Sequence, residues 1–246
     1  MTIDLDHHRI VEIIRPIDSG MTEPVLCVLD DDLTYCVKGR GALAKGKIAE
    51  VISGVVGREI GLPIPDFSIA NLSAAMIFQS GDEPNIRRIG AQPAFASLWK
   101  EPVDNFLIVM RTDFPARLLA SVYVFDHWVR NGDRTLTEHG GNVNLLVNLG
   151  AKEKELVVID HNLAFSPSYS VDDLSTHVGY PSWRNLDGRL QFSENLKASM
   201  LRARDKVQNI SDSLPDEWLE EEPDFVDHAL EALERVDGSE FWDELS

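Results

Sequence analysis

Long apolar stretches are absent from this sequence. No run approaches the ~20 residues that a helix needs to cross a bilayer, so no membrane association is expected. The opening MTIDLDHHRI lacks a basic segment followed by an apolar core, so no signal peptide is expected either. Positive charge is also scarce: 23 Lys and Arg stand against 41 Asp and Glu, a net charge of −18. A surface of that sign repels phosphate backbones, which argues against nucleic acid as a partner. There are only two cysteines, Cys27 and Cys36, both in strand-like runs. They read as buried free thiols in a reducing cytoplasm rather than as a disulfide, and the seven histidines complete no zinc site with them at usual spacing. The glycine-rich signature G-x-G-x-x-G is missing, and no internal repeat or low-complexity segment appears.

What is present is an ordinary globular composition, 43% hydrophobic and 26% charged over 246 residues, enough for one large domain or two lobes. Residues 9–14, 25–29 and 34–38 read as three short strands joined by turn chemistry, Asp18 to Pro24 and Asp30-Asp31-Asp32. The loop from Ser19 through Gly20 and Met21 to Thr22 carries hydroxyls that suit a phosphate, although a plain surface turn explains it equally well. Lys38 ends the third strand, where an exposed terminus is the commoner fate of a lysine.

Residues 47–60 have near-helical apolar spacing, with Glu50 off the main stripe and Gly54 and Gly57 inside. Each glycine costs a helix about 1 kcal/mol relative to alanine, which close packing against another backbone would justify. Gly61-Leu62-Pro63-Ile64-Pro65 ends the helix, and 67–70 begins another strand. Residues 80–92 read as a loop or insertion. Residues 95–99, with Ser97, read as a hinge whose backbone groups would hold a flat base, and 106–110 is a short apolar run without a clear place. Residues 115–130 form a helix with a broad buried face. Toward the end, 192–207 and 224–236 are amphipathic helices, and the acidic stretch 212–222 reads as a solvated face.

The most informative stretch is 131–165, NGDRTLTEHGGNVNLLVNLGAKEKELVVIDHNLAF. Its apolar runs 145–147 and 156–159 flank a polar segment with a glycine, which is a hairpin pattern. The hairpin would bring Asn144, before the first strand, close to Asp160, after the second. A carboxylate beside an amide oxygen suits a hard cation such as Mg2+, and Asp133 is then free to orient a hydroxyl. Each of these residues alone is ordinary turn material; their combined order is much harder to produce by accident.

In that order the chain resembles the HipA-like kinase family, most closely its short single-domain bacterial branch. The resemblance rests on Ser19 to Pro24, Tyr35-Cys36-Val37-Lys38, Ala49-Glu50 and 61–65. It is strongest at Phe125-Asp126-His127-Trp128, Asn131-Gly132-Asp133-Arg134, Gly140 to Leu146 and Ile159 to Phe165. It spans about residues 9–165. The Asp-Arg and Ile-Asp-His elements are more distantly similar to phosphoinositide kinases.

The resemblance implies an α+β, two-lobed protein-kinase-like fold that binds ATP and Mg2+, with a β-rich lobe over 1–98 and a mostly helical lobe over 99–246. It implies that Lys38 contacts the ATP phosphates, Glu50 holds Lys38, Asp133 is the catalytic aspartate, and Asn144 and Asp160 bind Mg2+. Asn142 competes with Asn144 for the amide role, and Asn144 is preferred because it immediately precedes the strand. His161 takes the place of the Phe in D-F-G. The implied activity is γ-phosphate transfer to a Ser or Thr of a protein, with Ser19 or Thr22 as a self-acceptor and an antitoxin or operon partner as a binding protein. The alternatives are a nucleotide-binding pseudokinase that uses its acidic C-terminal helices as a scaffold, and a small-molecule or lipid kinase. The chain is shorter than the toxins of the family, its loop from Asp133 to Asn144 is longer than in ordinary protein kinases, and its charge disfavours DNA-bound complexes.

Overall fold

The computed structural model describes residues 3–18, 21–80, 83–101, 103–136, 141–150, 152 and 154–245. Strands β1 (His7–Pro16), β2 (Val25–Leu29) and β3 (Thr34–Lys38) form an antiparallel meander. A 3-10 turn, Arg40–Ala42, leads into helix α1 (Ala44–Glu59), and β4 (Phe67–Asn71) follows. Two short helices, α2 (Ala74–Ser80) and α3 (Pro84–Ile89), precede β5 (Ala94–Leu98). The strands close into a barrel in the order β1-β2-β3-β5-β4, sealed by the parallel pairing of β1 with β4. Alternate residues of these strands, among them Val25, Cys27, Leu29, Tyr35, Val37 and Ala96, make one buried cluster, as the two-residue side-chain period of a strand requires.

The chain then lays down β6 (Val103–Asn105), a 3-10 helix Ile108–Asp113, and helix α4 (Ala116–Trp128). Strands β7 (Leu145–Asn148) and β8 (Glu155–Val158) form the hairpin, with β6 on its edge. After a 3-10 segment Val171–Thr176 come α5 (Tyr180–Arg184), α6 (Arg189–Lys206), α7 (Asp216–Glu221), α8 (Phe225–Glu234) and α9 (Ser239–Asp243). A second, larger apolar cluster joins α1, α4, the hairpin and these last helices. No helix among the described residues is long and apolar enough to cross a membrane.

Several sequence expectations change here. Within the expected loop 80–92, residues Pro84–Ile89 are helix. In α3, the Glu83 carboxylate accepts from the Asn85 and Ile86 amides at 2.9 Å, Pro84 opens the first turn, and Gly90 closes it at φ +81°. This is the start and stop grammar of a helix compressed into one turn and a half. Residues 95–98 lie in β5, where Ser97 pairs with Cys36 and Phe67, so this run is a paired strand that ends just before Trp99. Helix α1 is not amphipathic in its setting. Thirteen of its 16 residues are buried, including Lys47 and Glu50, because the barrel covers one side and α6, α7 and α8 cover the other. Gly54 and Gly57 make room for side chains rather than a backbone: a Cβ at Gly54 would meet the Phe67 ring, and one at Gly57 would meet Ile64 and the Phe125 ring. The acidic stretch 212–222 is only partly a solvated face, since Trp218 within it is fully buried and its indole donates to the Pro93 carbonyl at 2.9 Å.

Candidate active site

Lys38 leaves the end of β3 on the face opposite the barrel interior and is 8% exposed. Its Nζ lies 2.5 Å from Glu50 Oε1 on α1 and 2.5 Å from Asp160 Oδ1 just beyond β8. Burial opposes the ammonium charge, but the Glu50 and Asp160 carboxylates more than offset it and hold the Lys38 pKa above the ordinary lysine value. Burial likewise pushes Glu50 up, and Lys38 together with a hydrogen bond from His161 outweighs it and holds the carboxyl below its usual range. The second Glu50 oxygen accepts from the His161 backbone N–H at 3.1 Å and lies 3.3 Å from His161 Nδ1. Glu50 thus ties together a strand lysine, its own helix and the segment carrying Asp160.

The hairpin does what its pattern requires. Leu145 pairs with Val158, and the Ile159 N–H donates to the Asn144 carbonyl at 3.1 Å, so Asn144 and Asp160 flank one end of the ladder. Asp133 reaches the same place from the loop after α4. Its Oδ2 accepts from Asn142 Nδ2 at 2.5 Å and from Asn144 Nδ2 at 3.0 Å. With both amide nitrogens engaged, the Asn142 and Asn144 side-chain oxygens remain as donors to a cation. Asn144 and Asp160 both sit in the left-handed backbone region, at φ +47° and +62°. Asn and Asp are the non-glycine residues that tolerate this best.

Among the described residues no three His, Cys, Asp or Glu side chains gather as a metal cluster. The donors at this end of the hairpin are therefore one or two carboxylates plus amide oxygens. An all-oxygen, incomplete set fits Mg2+, which binds through few protein ligands and completes its shell with phosphate and water.

Beneath these residues lies a polar network that sequence reading did not assign. Asp126, fully buried on α4, accepts from Arg134 Nε at 2.7 Å and from Asn131 Nδ2 at 3.0 Å. His177 Nε2 lies 2.7 Å from the same carboxylate. Arg134, also fully buried, extends Nη1 to the carbonyls of Asn144 and, at 3.2 Å, Ile159. Burial pushes the Asp126 carboxyl up, but Arg134 and His177 outweigh it and hold it below the ordinary range. The available signal was Asp126 itself, a charged residue in the last turn of a helix whose other buried positions are mostly apolar.

The sequence profile of HipA-like kinases matches residues 10–245. The chain belongs to the HipA-like kinase family. The kinase CtkA of Helicobacter pylori, described as proinflammatory, superposes on this HipA-like chain with a TM-score of 0.61 at 10% identity, covering 95% of this chain and 94% of its own. HipA of Shewanella oneidensis, solved as a toxin–antitoxin complex with HipB and operator DNA, superposes with a TM-score of 0.50 at 11% identity, covering 92% and 67%. At these identities the likeness establishes the α+β, kinase-like fold. No curated protein matches the sequence.

The remaining expected residues of this HipA-like site are more scattered. Ser97 shares the face of β5 that carries Phe95, opposite Cys36 and Lys38 on β3, so it belongs to the wall running out from Lys38. Cys36 lies on that wall, with its thiol pushed up to about 11 by burial, which keeps it a poor nucleophile. The second thiol, Cys27, points into the barrel, and both are free. Met21 is fully exposed, while the Thr22 carbonyl sits so close to Gly41 that a Cβ there would strike the Thr22 backbone. That contact brings the loop onto the turn that follows Lys38. Ser19 and Gly20 lie outside the described residues.

Proposed function

We propose that this chain is an ATP- and Mg2+-dependent phosphotransferase that moves the γ-phosphoryl group of ATP to a Ser or Thr hydroxyl of a protein. One observation carries the reading. Lys38, Glu50 and Asp160, drawn from a strand, a helix and a hairpin end, meet at 2.5 Å, and Asp133 joins the same hairpin end through Asn144 at 3.0 Å. Phosphoryl transfer asks a protein for positioning and charge compensation rather than covalent chemistry, and this set supplies both.

In this reading the barrel, α1 and the rest of 1–98 form the nucleotide-binding lobe, and 99–246 the catalytic lobe. Lys38, aimed by Glu50, binds phosphate oxygens. Asp160 and Asn144, with Asn142 as the competing amide, would hold Mg2+, which would supply positive charge to offset that of the phosphates. Asp133 accepts the hydrogen bond of the acceptor hydroxyl, fixes its lone pair toward phosphorus and takes its proton as the new P–O bond forms and the bond from the γ-phosphorus to the β–γ bridging oxygen breaks, with ADP as the leaving group. Ser97 and the backbone past β5 line the base, and the loop of Ser19, Gly20, Met21 and Thr22 covers the phosphates. Because Thr22 is held against the turn after Lys38, it is the described hydroxyl placed to be a self-acceptor.

A toxin–antitoxin setting is supported by the HipA–HipB complex, and a net charge of −18 favours a protein partner over DNA. The cytoplasm fits two free thiols. The test is incubation with radiolabelled γ-phosphate ATP and Mg2+, comparing wild type with Asp133→Ala and Asp160→Ala, followed by mass spectrometry. Label on the chain or on an added protein, lost in both variants, is the expected result. Near wild-type turnover in either variant would overturn the role assignments. ATP-dependent thermal stabilisation without transfer to any protein, peptide or lipid offered would favour the pseudokinase reading instead.

A further inference from the structure

The structure assigns to Arg134 a role beyond filling a buried ion pair: we infer that it is a positioning residue whose guanidinium sets the metal affinity of the site by holding the backbones of Asn144 and Asp160. This inference rests on the phosphotransferase reading for the identity of the ligands.

Arg134 touches no solvent, so it cannot contact nucleotide or acceptor directly. What it grips is informative. Its Nη1 donates to the Asn144 carbonyl and, at 3.2 Å, to the Ile159 carbonyl. The first carbonyl belongs to the peptide leaving Asn144, and the second to the peptide entering Asp160. The orientation of those two carbonyls is coupled to the backbone angles of these two residues, which are the ones held at φ +47° and +62°. Left-handed conformations persist at non-glycine positions when the surroundings over-determine them, and here the same fork does so on both sides of the hairpin end.

The fork is itself indexed. Arg134 Nε is fixed on Asp126 Oδ2 at 2.7 Å. Asp126 Oδ1 meets Asn131 Nδ2 at 3.0 Å, and Asn131 Oδ1 in turn accepts from the Asp133 amide at 3.4 Å. His177 completes the anchor. Its Nδ1 accepts from the Gly179 N–H at 2.9 Å, so its Nε2 carries the proton and donates to Asp126. The neutral imidazole is therefore fully bonded, and Arg134 is the cation that balances the buried carboxylate. One carboxylate on α4 thereby references the Asp133 loop, both metal-side backbones and the segment at 176–179. Hydrogen-bond partners behind the ligands of a metal commonly change its affinity by about 10- to 100-fold. A lysine at 134 would keep the charge, but a single ammonium cannot span from Asp126 to both carbonyls as the planar fork does.

The experiment measures Mn2+ binding in the presence of ADP, by calorimetry and by the Mn2+ electron paramagnetic resonance signal, for wild type and Arg134→Lys. ADP binding in EDTA is measured alongside. The expected result is unchanged metal-free ADP affinity and a Mn2+ dissociation constant raised about 10-fold or more. A folded R134K protein whose Mn2+ affinity stays within a factor of about two of wild type would overturn the inference, since that is well below the expected change.

Should R134K not fold, the apolar pair D126L with R134M replaces it, because buried ion pairs exchanged whole for apolar residues commonly keep or gain stability. The same loss of Mn2+ affinity is then expected. Failure of both variants to show a cooperative unfolding transition would make the network a folding element only and would also overturn the inference. Wild type that binds Mn2+ and ADP but transfers no phosphate would sink the phosphotransferase reading alone. Wild type that binds no Mn2+ with ADP would sink this inference directly.

Discussion

Replacing Lys38 by methionine reverses the pH dependence of the one buried carboxylate it serves. In the wild-type chain Glu50 is 3% exposed at its side chain and is compensated by Lys38 at 2.5 Å. Asp160 is 29% exposed, so water can take over its compensation, but Glu50 has only the His161 contacts left. Removing one partner of a buried pair costs about 3–5 kcal/mol, and that is the loss expected for K38M near neutral pH.

The pH then separates this cause from simple loss of packing. In wild type the Glu50 pKa is depressed below its ordinary 4.5. Its stabilising contribution is therefore complete above about pH 4.5 and is lost only as pH falls toward the depressed value. In K38M, burial acts with little opposition and raises the pKa, by roughly 2 pH units on the scale of buried carboxyls. A raised pKa contributes stability below the unfolded value and loses it as pH rises through the folded one. At ~1.4 kcal/mol per pH unit, K38M should recover about 2 kcal/mol of its deficit between pH ~7.5 and pH ~5. Urea unfolding of both proteins at the two pH values, followed by tryptophan fluorescence, reads this directly, and other titrating groups cancel in the difference. A deficit that is equal at both pH values, or larger at the lower one, would refute the idea that Lys38 is the counter-charge of Glu50.

Two further predictions concern the scaffold. Burial, with Arg235 nearby, lowers the His127 pKa to about 3, and the Glu244 carboxylate 3.0 Å from its Nε2 is already neutralised by Arg235 at 2.7 Å. Burial lowers His177 as well. Because His127 is neutral when folded, stability is complete above its ordinary 6.5 and should fall below it by about 1.4 kcal/mol per pH unit on its account. In urea titrations between pH ~6 and pH ~5, H127F should remove about that much of the slope whatever it does to the absolute stability; an unchanged slope refutes the assignment.

Gly57→Ala gains up to about 1 kcal/mol of helix propensity, yet its Cβ would press on Ile64 and the Phe125 ring. Overpacking of about 1–3 kcal/mol should win, and a G57A protein more stable than wild type in urea would show that the contact yields.

The parts of the fold that were legible in the sequence were those governed by local rules. Strands 25–29 and 34–38 were readable to the residue because turn residues bracket short β-branched runs. The hairpin 145–158 was readable for the same reason. Helix α3 was written in the sequence as Glu83-Pro84 and Gly90, but a helix of six residues offers too little periodicity to announce itself. The burial of α1 on all sides was not legible, because it depends on which elements, distant in the chain, close over it. Lys38 and Asp160 are 122 positions apart, so their meeting could be inferred only from the family resemblance, whereas Asn144 and Asp160 could be paired from the hairpin alone. Asp126, Arg134 and His177 were missed for a related reason. Their partners are carbonyls and one another, and no spacing rule connects a helix, a loop and a segment 51 residues further on.

Buried charges bear on what the site is for. Lys38, Glu50, Asp126 and Arg134 are each 8% exposed or less. Taking such groups out of water is expensive, and their mutual attraction commonly does no better than break even against well-packed apolar residues. Closing the long chain loop between Lys38 and Asp160 adds an entropic cost that one contact cannot recover. The two apolar clusters must therefore supply the favourable free energy, one inside the barrel and one joining α1, α4, the hairpin and the last helices. They bring the polar residues together rather than the reverse. A centre that stability does not require, sustained by both cores and ending on two left-handed residues at the mouth of a hairpin, has the thermodynamic profile of a functional site.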